Sequence, residues 1–255
     1  MYNAWTRREF VHPDPLELLY GYEDPHDLEI VGLVAACLAY GRVTQILASI
    51  RKALDALTNV KNASPWLTLQ AIRPRALFQR LEGFKHRFTT GSEVASLLVA
   101  VSRATDSYGS LQRLFAAGVK RGDDTILSGL AAFVERLRAL AGGADTCGTL
   151  LSSPADGSAC KRLNLYLRWM VRRDAVDPGP WTSISPALLI VPLDTHLFRI
   201  ATRIGLTQRR QPNLKTAMEV TGGFSRMRPD DPVRYDFALT RLGINPACRA
   251  IGFDD

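Results

Sequence analysis

Hydrophobic residues recur at helical spacing along most of the chain. Asp27 is placed to cap a helix that runs from Leu28 to about Tyr40, and a second helix is predicted from Val43 to about Leu57. Alternating runs of β-branched and polar residues, which would indicate strands, are missing. The pattern therefore predicts an all-α protein.

Residues that favour helix N-termini mark the remaining helices. Ser64 followed by Pro65 is typical of an N-cap with proline at the first helical position. Further helices are predicted to begin at Ser92, Asp124, Lys161, Asp194, Asn213 and Asp231. Turn-rich segments at 141–158 and 177–181 are too short to be disordered linkers between domains.

Length and cysteine spacing narrow the class of protein. A chain of 255 residues forms one large domain or two small lobes, and its longest apolar stretch is too short for a membrane span. The first ten residues show no secretory signal. Cys37, Cys147, Cys160 and Cys248 are scattered, which favours reduced thiols over a disulfide framework or a metal cluster. We therefore expect a cytoplasmic protein that makes no membrane contact.

Positive charge is concentrated towards the C-terminus. Residues 158–255 hold 15 basic and 9 acidic side chains, a net of +6, whereas residues 1–157 have a net of +1. A basic segment of this kind suits a polyanion such as nucleic acid. A solvated arginine-rich surface explains the same charge equally well.

The helix predicted to begin at Lys161 carries this charge on one face. At 100° per residue, Lys161, Arg168 and Arg172 lie within about 20° of one another, and the apolar residues lie on the opposite side. The preceding turn at Pro154–Ser158 is able to expose backbone N–H groups to a phosphate. The alternative is an ordinary amphipathic surface helix preceded by a glycine turn.

A second candidate group is the carboxylate of Asp194, in the segment Val191–Arg199. Pro192 disfavours helix before it, and Asp194 is well placed as the N-cap of the helix that follows. A capping role alone explains the residue. A carboxylate at the positive end of a helix is also kept ionised, as a catalytic partner would need to be.

The order of these features resembles the helix-hairpin-helix base-excision DNA glycosylases. A turn, a lysine that opens a helix, and a Pro-x-Asp-Thr-His-x-Phe-Arg segment stand here in that order, with Lys161 and Asp194 33 residues apart. This spacing is closest to the archaeal 8-oxoguanine glycosylase branch. The strings at 160–164, 168–172 and 229–232 also resemble a related bacterial family of unknown function.

Two features of the superfamily are missing. The Leu-Pro-Gly-Val-Gly hairpin is replaced by Ser153–Ser158, and the four clustered cysteines of the endonuclease III iron–sulfur site are absent. We therefore expect no metal and no organic cofactor.

The resemblance implies a DNA glycosylase with AP-lyase activity that removes an oxidised purine, 8-oxoguanine being the leading candidate. Lys161 would attack the sugar C1′ to form a Schiff base, and Asp194 would accept a proton and stabilise positive charge on the sugar. The expected partner is double-stranded DNA containing a damaged base, bound by a monomer associated with the nucleoid. The alternative is a non-catalytic nucleic-acid-binding protein with the same fold.

Further residues are assigned to DNA or base binding. The phosphate contacts are predicted at the turn and along the basic face, the base pocket at two tryptophans, and the residue that fills the vacated gap at the break after the first long helix. The candidates are Gly157, Ser158, Arg168 and Arg172 for phosphates, Trp169 and Trp181 for the pocket, and Tyr40, Arg42 and Gln45 for the gap. Core packing of the tryptophans and a simple helix-ending turn at 38–42 are the structural alternatives.

The resemblance also implies two helical lobes with a cleft between them. One lobe spans about 28–160, and the other combines about 1–27 with 161–255 in a single unit of 1–255, with Lys161 at the junction. A minor alternative is a metal-dependent phosphohydrolase of the His-Asp type, based on His26 and Asp27.

Overall fold

A computed structural model describes residues 2–60, 63–143 and 145–244, and these residues are mostly helical, as the periodicity predicts. The α-helices are α1 (Tyr2–Trp5), α2 (Pro25–Cys37), α3 (Val43–Thr58), α4 (Pro65–Ala71), α5 (Pro74–Arg80), α6 (Gly91–Tyr108), α7 (Leu111–Ala116), α8 (Leu127–Ala141), α9 (Lys161–Val171), α10 (Thr195–Arg203), α11 (Leu214–Ser225) and α12 (Asp236–Ile244). Short 3-10 helices lie at Arg8–Phe10, Pro15–Gly21, Gly148–Leu150, Pro154–Asp156 and Pro186–Leu188. None of the described helices is long and apolar enough to cross a membrane.

The chain divides into two compact units. The middle unit comprises Pro13–Asp123 and Leu127–Ser153, and the terminal unit comprises the described parts of Met1–His12, Asp124–Ile126 and Pro154–Asp255. The division differs from the expected lobes at residues 13–27, which fold with the middle of the chain because Leu16 and Leu19 are fully buried beside α2. It also differs at residues 124–126 and 154–160, which belong to the terminal unit. The end of the expected second lobe, residues 245–255, lies outside the described residues.

The middle unit is built around α6, which packs against α5, α7 and α8. Its capping box pairs the Thr90 and Glu93 side chains with each other's backbone N–H groups, which fixes where the helix begins. Apolar positions at helical spacing, including Val94, Leu98 and Val101, are at most 1% exposed.

Two acidic side chains of α2 are buried in this unit and bind backbone amides of other helices. Glu29 accepts hydrogen bonds from the N–H groups of Leu111 (2.9 Å) and Gln112 (2.8 Å), at the start of α7. Asp27 accepts from the Ser64 hydroxyl and the Trp66 N–H, at the start of α4. The prediction that Asp27 caps α2 is therefore wrong: Asp24 caps this helix, and Asp27 holds the next one.

A two-stranded hairpin interrupts the helices of the middle unit. Strand β1 (Lys85–His86) pairs antiparallel with β2 (Thr89–Thr90) around a tip formed by Arg87 and Phe88. The sequence pattern missed it because each strand has only two residues, and the tip lacks the Asn-Gly type of turn that signals a hairpin.

The terminal unit buries most of α9 and packs α10 against α12. The helix predicted to begin at Asp231 begins five residues later, at Asp236. The reason is that the Asp231 carboxylate is bound by the Arg172 side chain, and the intervening residues form turns that link Asp231 to Arg228 and Asp236 to Val233.

Replacing Gly91 by Ala should destabilise the middle unit. A Cβ atom at this first residue of α6 would lie 1.8 Å from the Leu81 carbonyl oxygen, so the backbone would have to shift, at a cost of about 2–3 kcal/mol. Urea denaturation followed by circular dichroism measures this difference. Gly21→Ala is the control, since no atom lies within 4 Å of the place its added methyl group would take; equal effects at the two positions would contradict the packing argument.

Candidate functional site

Lys161 is the first residue of α9 and follows a tightly bent loop. Gly157 has φ +72° and donates its N–H to the Pro154 carbonyl (3.0 Å), which closes the turn. Cys160, the residue before the lysine, has φ +46° and ψ +36°, a left-handed conformation that is rare for residues other than glycine. The chain therefore enters α9 through a strained residue, as is common next to functional groups.

The side chains around this loop hold it in place. The Ser158 hydroxyl accepts the Cys160 N–H (3.1 Å), and the Asn164 side-chain amide donates to the Ala159 carbonyl (2.9 Å). Ser158 is half-buried in this role, whereas Gly157 is exposed. The N-cap residue Cys160 makes no side-chain cap at the start of α9, whereas Asp194 and Asn213 cap α10 and α11 through their side chains.

The Lys161 side chain is half-buried, and no residue of the described chain pairs with its ammonium group by a hydrogen bond or ion pair. This distinguishes it from the two arginines that share its helical face. An amine that is not held in an ion pair can approach an electrophile as a nucleophile.

Arg168 and Arg172 are buried, so the prediction that they form an exposed basic face with Lys161 is wrong. They are 4% and 3% exposed, and their guanidinium groups are enclosed by carboxylates. Arg168 binds Asp177 and Asp236. The physical reason is that two cations inside a unit must be neutralised there, and a helical period does not show which carboxylates will reach them.

Arg172 has the larger set of partners. It binds Asp231 through two nearly parallel hydrogen bonds (2.9 and 3.0 Å), Asp174 at 2.9 Å, and Asp177. Burial alone would lower the pKa of Arg172. The surrounding carboxylates raise it by more than burial lowers it, so its pKa lies above the ordinary value. The phenol of Tyr2 donates to Asp174 (2.8 Å) and adds the N-terminal segment to this network.

Both tryptophans assigned to a base pocket belong to the core of the terminal unit. Trp169 is 0% exposed and Trp181 is 3% exposed. Trp181 packs edge-on against Tyr166, with ring centroids 5.5 Å apart. The core alternative is therefore correct for both, because α9 and the chain that follows it surround them with apolar side chains.

Asp194 caps α10, as predicted, by accepting the Leu197 N–H through Oδ1 (2.7 Å). The residue is half-buried, and its second oxygen has no partner in the described part of the chain. Burial raises the pKa of the nearby Asp236 to about 6, against the lowering effect of Arg168, and the negative charge of Asp194 adds to the rise. Asp194 thus lies close to the carboxylate that pairs with Arg168.

Lys161 and Asp194 both belong to the terminal unit. Arg168 lies two turns along α9 from Lys161 on the same face, a distance of about 10 Å along the helix axis. Asp236, at the start of α12, pairs with Arg168. Helix α12 packs against α10, the helix that Asp194 caps.

The candidates in the middle unit have different roles. The Tyr40 hydroxyl donates to the His86 carbonyl (2.9 Å) and lies 2.7 Å from the Thr89 hydroxyl, so this half-buried residue anchors the hairpin. Arg42 and Gln45 are exposed at the start of α3. Of the three, only Arg42 and Gln45 are placed to reach a ligand directly.

His26 and Asp27 also have structural roles. The His26 ring stacks on Trp66 with centroids 4.3 Å apart, and its Nε2 lies 3.2 Å from the Gly109 carbonyl oxygen. Asp27 is occupied by Ser64 and Trp66. Within the described residues, no group of three or more His, Cys, Asp or Glu side chains is arranged to hold a metal ion. The phosphohydrolase alternative therefore lacks its ligand cluster in this part of the chain.

Comparison with known proteins places the chain in a family. Residues 14–245, nearly the whole sequence, match the family described as "Protein of unknown function (DUF2400)". The chain belongs to this family. No curated protein and no solved structure gives a significant match. The DUF2400 match includes both units and contains Lys161, Asp194 and all the aspartate partners of the buried arginines described above.

This DUF2400 protein also has an exposed basic surface that the sequence analysis missed. Residues 73–88 contain five basic residues and one acidic residue, and all five basic residues are exposed: Arg73, Arg75, Arg80, Lys85 and Arg87. Phe78 and Phe88, in the same segment, are also exposed. The net charge of residues 1–157 is only +1, so this short basic run is not visible in it. Net charge counted over windows of about 15 residues would have revealed it.

Asp236→Asn should remove part of the pH dependence of stability. Because the pKa of Asp236 is raised from 3.8 to about 6, the folded chain binds this proton more tightly than the unfolded chain. The stabilisation that comes from protonating Asp236 is complete below about pH 4 and is lost as the pH rises through about 6. The free energy of unfolding of the unsubstituted chain minus that of the variant should fall by about 2–3 kcal/mol from pH 4 to pH 7. Urea denaturation at each pH checks this, and a difference independent of pH would refute the assignment.

Proposed function

We propose that this DUF2400 protein is a DNA glycosylase with AP-lyase activity that removes an oxidised purine, with 8-oxoguanine the first substrate to test. The observation that carries the proposal is the contrast along α9. Its two buried arginines are fully neutralised by carboxylates, whereas the half-buried Lys161 ammonium has no partner in the described chain. An amine kept unpaired beside an internally neutralised cluster supports a nucleophilic role.

The proposed reaction uses one lysine nitrogen and one carboxylate. An ammonium must first lose a proton, since at an ordinary lysine pKa only about 1 molecule in 2,500 is neutral at pH 7. The neutral Lys161 nitrogen forms a bond to C1′ as the bond from C1′ to the base breaks, and the base leaves with a proton. Opening of the sugar ring then gives an imine, and loss of a 2′ proton expels the 3′ phosphate.

Asp194 is the proposed proton acceptor and electrostatic partner. Its cap to Leu197 occupies only one carboxylate oxygen, which leaves the other for a substrate or for the lysine proton. Its negative charge would also stabilise the positive charge that develops on the sugar ring.

The resemblance to the helix-hairpin-helix glycosylases supports the same assignment through the order and spacing of Lys161 and Asp194. The chain departs from that superfamily before α9, where the short 3-10 helices Gly148–Leu150 and Pro154–Asp156 precede the lysine. The exposed turn at Gly157 and the start of α9 stand in the place of the missing hairpin and are the proposed phosphate contact.

A non-catalytic nucleic-acid-binding protein is the second candidate. The exposed basic residues of the segment 73–88 favour binding whether or not Lys161 reacts. The two candidates are separated by chemistry: binding alone releases no base and leaves both strands intact.

Lys161→Gln should abolish covalent trapping. In borohydride, a duplex containing 8-oxoguanine should form a stable complex with the unsubstituted chain, because reduction of the imine makes it permanent. Lys161→Gln should give none, whereas Lys215→Gln, an exposed lysine on α11 of the same unit, should trap normally. A panel of other damaged bases identifies the substrate. Trapping that persists in Lys161→Gln, or no base release from any duplex of the panel, would disprove this proposal.

Asp194→Asn tests the carboxylate separately from the fold. Asn is as good an N-cap as Asp, so the bond to Leu197 and the melting temperature should be preserved. Base release should nevertheless fall by about 100-fold or more, the usual loss of a proton-transfer group, while duplex binding remains. Asn213→Asp, the reverse change at the N-cap of α11, is the matched control and should leave base release unaltered. Equal activity in Asp194→Asn would reduce this residue to a helix cap.

A further inference from the structure

The tip of the hairpin β1–β2 presents an aromatic side chain to solvent. Phe88 is 76% exposed, more than any other large hydrophobic side chain in the described residues. The Arg87 guanidinium lies over its ring, 5.5 Å from the centroid. An exposed phenylalanine next to an arginine has the composition of a site that stacks on flat, negatively charged partners.

The base of this hairpin is rigidly attached to the middle unit. His86 is buried, and its ring nitrogens lie 2.9 Å from the Ser49 hydroxyl and 3.0 Å from the Tyr40 carbonyl oxygen. Tyr40 in turn bonds to both strands through its hydroxyl. Because these groups hold the strands, the tip is ordered before any ligand binds, which reduces the entropy cost of binding.

Arg87 has a backbone conformation that arginine rarely adopts. Its φ of +52° is in the left-handed region that favours glycine or asparagine. Its side chain packs over Gly41, where an added Cβ would lie 2.9 Å from the Arg87 Cδ. Gly41 directly precedes Arg42, so the tip lies beside the exposed start of α3. The Arg87 side chain is therefore held at an exposed tip despite the backbone strain.

The charge around the tip is positive and unneutralised. No residue of the described chain provides a carboxylate partner for Arg42, Arg75, Lys85 or Arg87. A groove of about 500 Å³ borders the base of the hairpin, lined in part by Arg75, Phe78 and Thr90. The surface therefore combines an aromatic tip with a basic surround, which matches the bases and phosphates of a nucleic acid in both shape and sign.

We propose that the Arg87–Phe88 tip is a DNA contact in which Phe88 stacks on bases at a gap or distortion of a duplex, while Arg42, Lys85 and Arg87 bind the flanking phosphates. The choice of DNA as the nucleic acid rests on the proposed function. The contact itself does not depend on Lys161 or on base release, so it can be tested separately.

The first test uses the full-length chain and a fluorescent duplex that contains a single tetrahydrofuran abasic analogue, which offers a gap but no base to release. Phe88→Ala should weaken binding by about 5- to 100-fold, the range found when a stacking aromatic is removed, with an unchanged salt dependence. Phe88→Trp keeps a stacking aromatic ring and should bind with the affinity of the unsubstituted chain. Leu67→Ala, at an exposed large hydrophobic residue on α4 of the same unit, is the control and should have little effect.

A second test separates charge from stacking. Arg87→Asn suits the left-handed backbone, so the melting temperature should be equal or higher, yet binding should weaken and the slope of log affinity against log salt should decrease in magnitude by about one. 2-Aminopurine opposite the abasic analogue should change its fluorescence on binding of the unsubstituted chain and much less with Phe88→Ala.

Several outcomes would overturn this inference: absence of DNA binding by the unsubstituted chain, equal losses for Leu67→Ala and Phe88→Ala, or unchanged affinity in Phe88→Ala. A basic aromatic tip could also touch anionic membranes; vesicle binding that is lost in Phe88→Ala while DNA binding is unchanged would assign the tip to lipid instead. If Phe88 proves necessary for DNA binding but borohydride traps nothing, only the proposed glycosylase function fails. If trapping succeeds but Phe88 has no effect, only the present inference fails.

Discussion

The terminal unit depends on a buried network in which two arginines of α9 are neutralised by four aspartates. Asp177 bonds to both Arg168 and Arg172 and is itself 1% exposed, so it holds the two cations together one turn apart. Removing one partner of such a buried pair costs about 3–5 kcal/mol, because the opposite charge is left without compensation. The network therefore fixes the orientation of α9, and with it the position of Lys161.

The basic residues on one face of α9 differ in whether they are paired with carboxylates. Arg168 is used internally, to bind Asp236 and to bring α12 close to the Asp194 cap. Lys161, at the open end of the face, has no such partner in the described chain. The two arginines that were expected on a basic surface instead support the unit internally, whereas the Lys161 amine has no partner in the described chain.

Charge in the middle unit is distributed in the opposite way. Arg168 and Arg172 of the terminal unit are buried and paired with four aspartates, whereas all five basic residues of the segment 73–88 are exposed. A net charge calculated from sequence counts both kinds of residue alike. Electrostatic attraction of a polyanion depends mainly on exposed charge, so the segment 73–88 contributes to it with all of its basic residues, whereas Arg168 and Arg172 do not.

The sequence by itself determined most helices and several of their boundaries, because amphipathic periodicity and N-caps are local. Ser64 and Asp194 cap the helices they were expected to cap, and α3 begins at Val43 as predicted. The tertiary structure alone decided which polar groups are buried. Asp27 binds α4 and leaves the cap to Asp24, and Arg172 meets Asp231 across 59 positions of chain. Such pairings depend on which segments fold together, and a helical period carries no information about that.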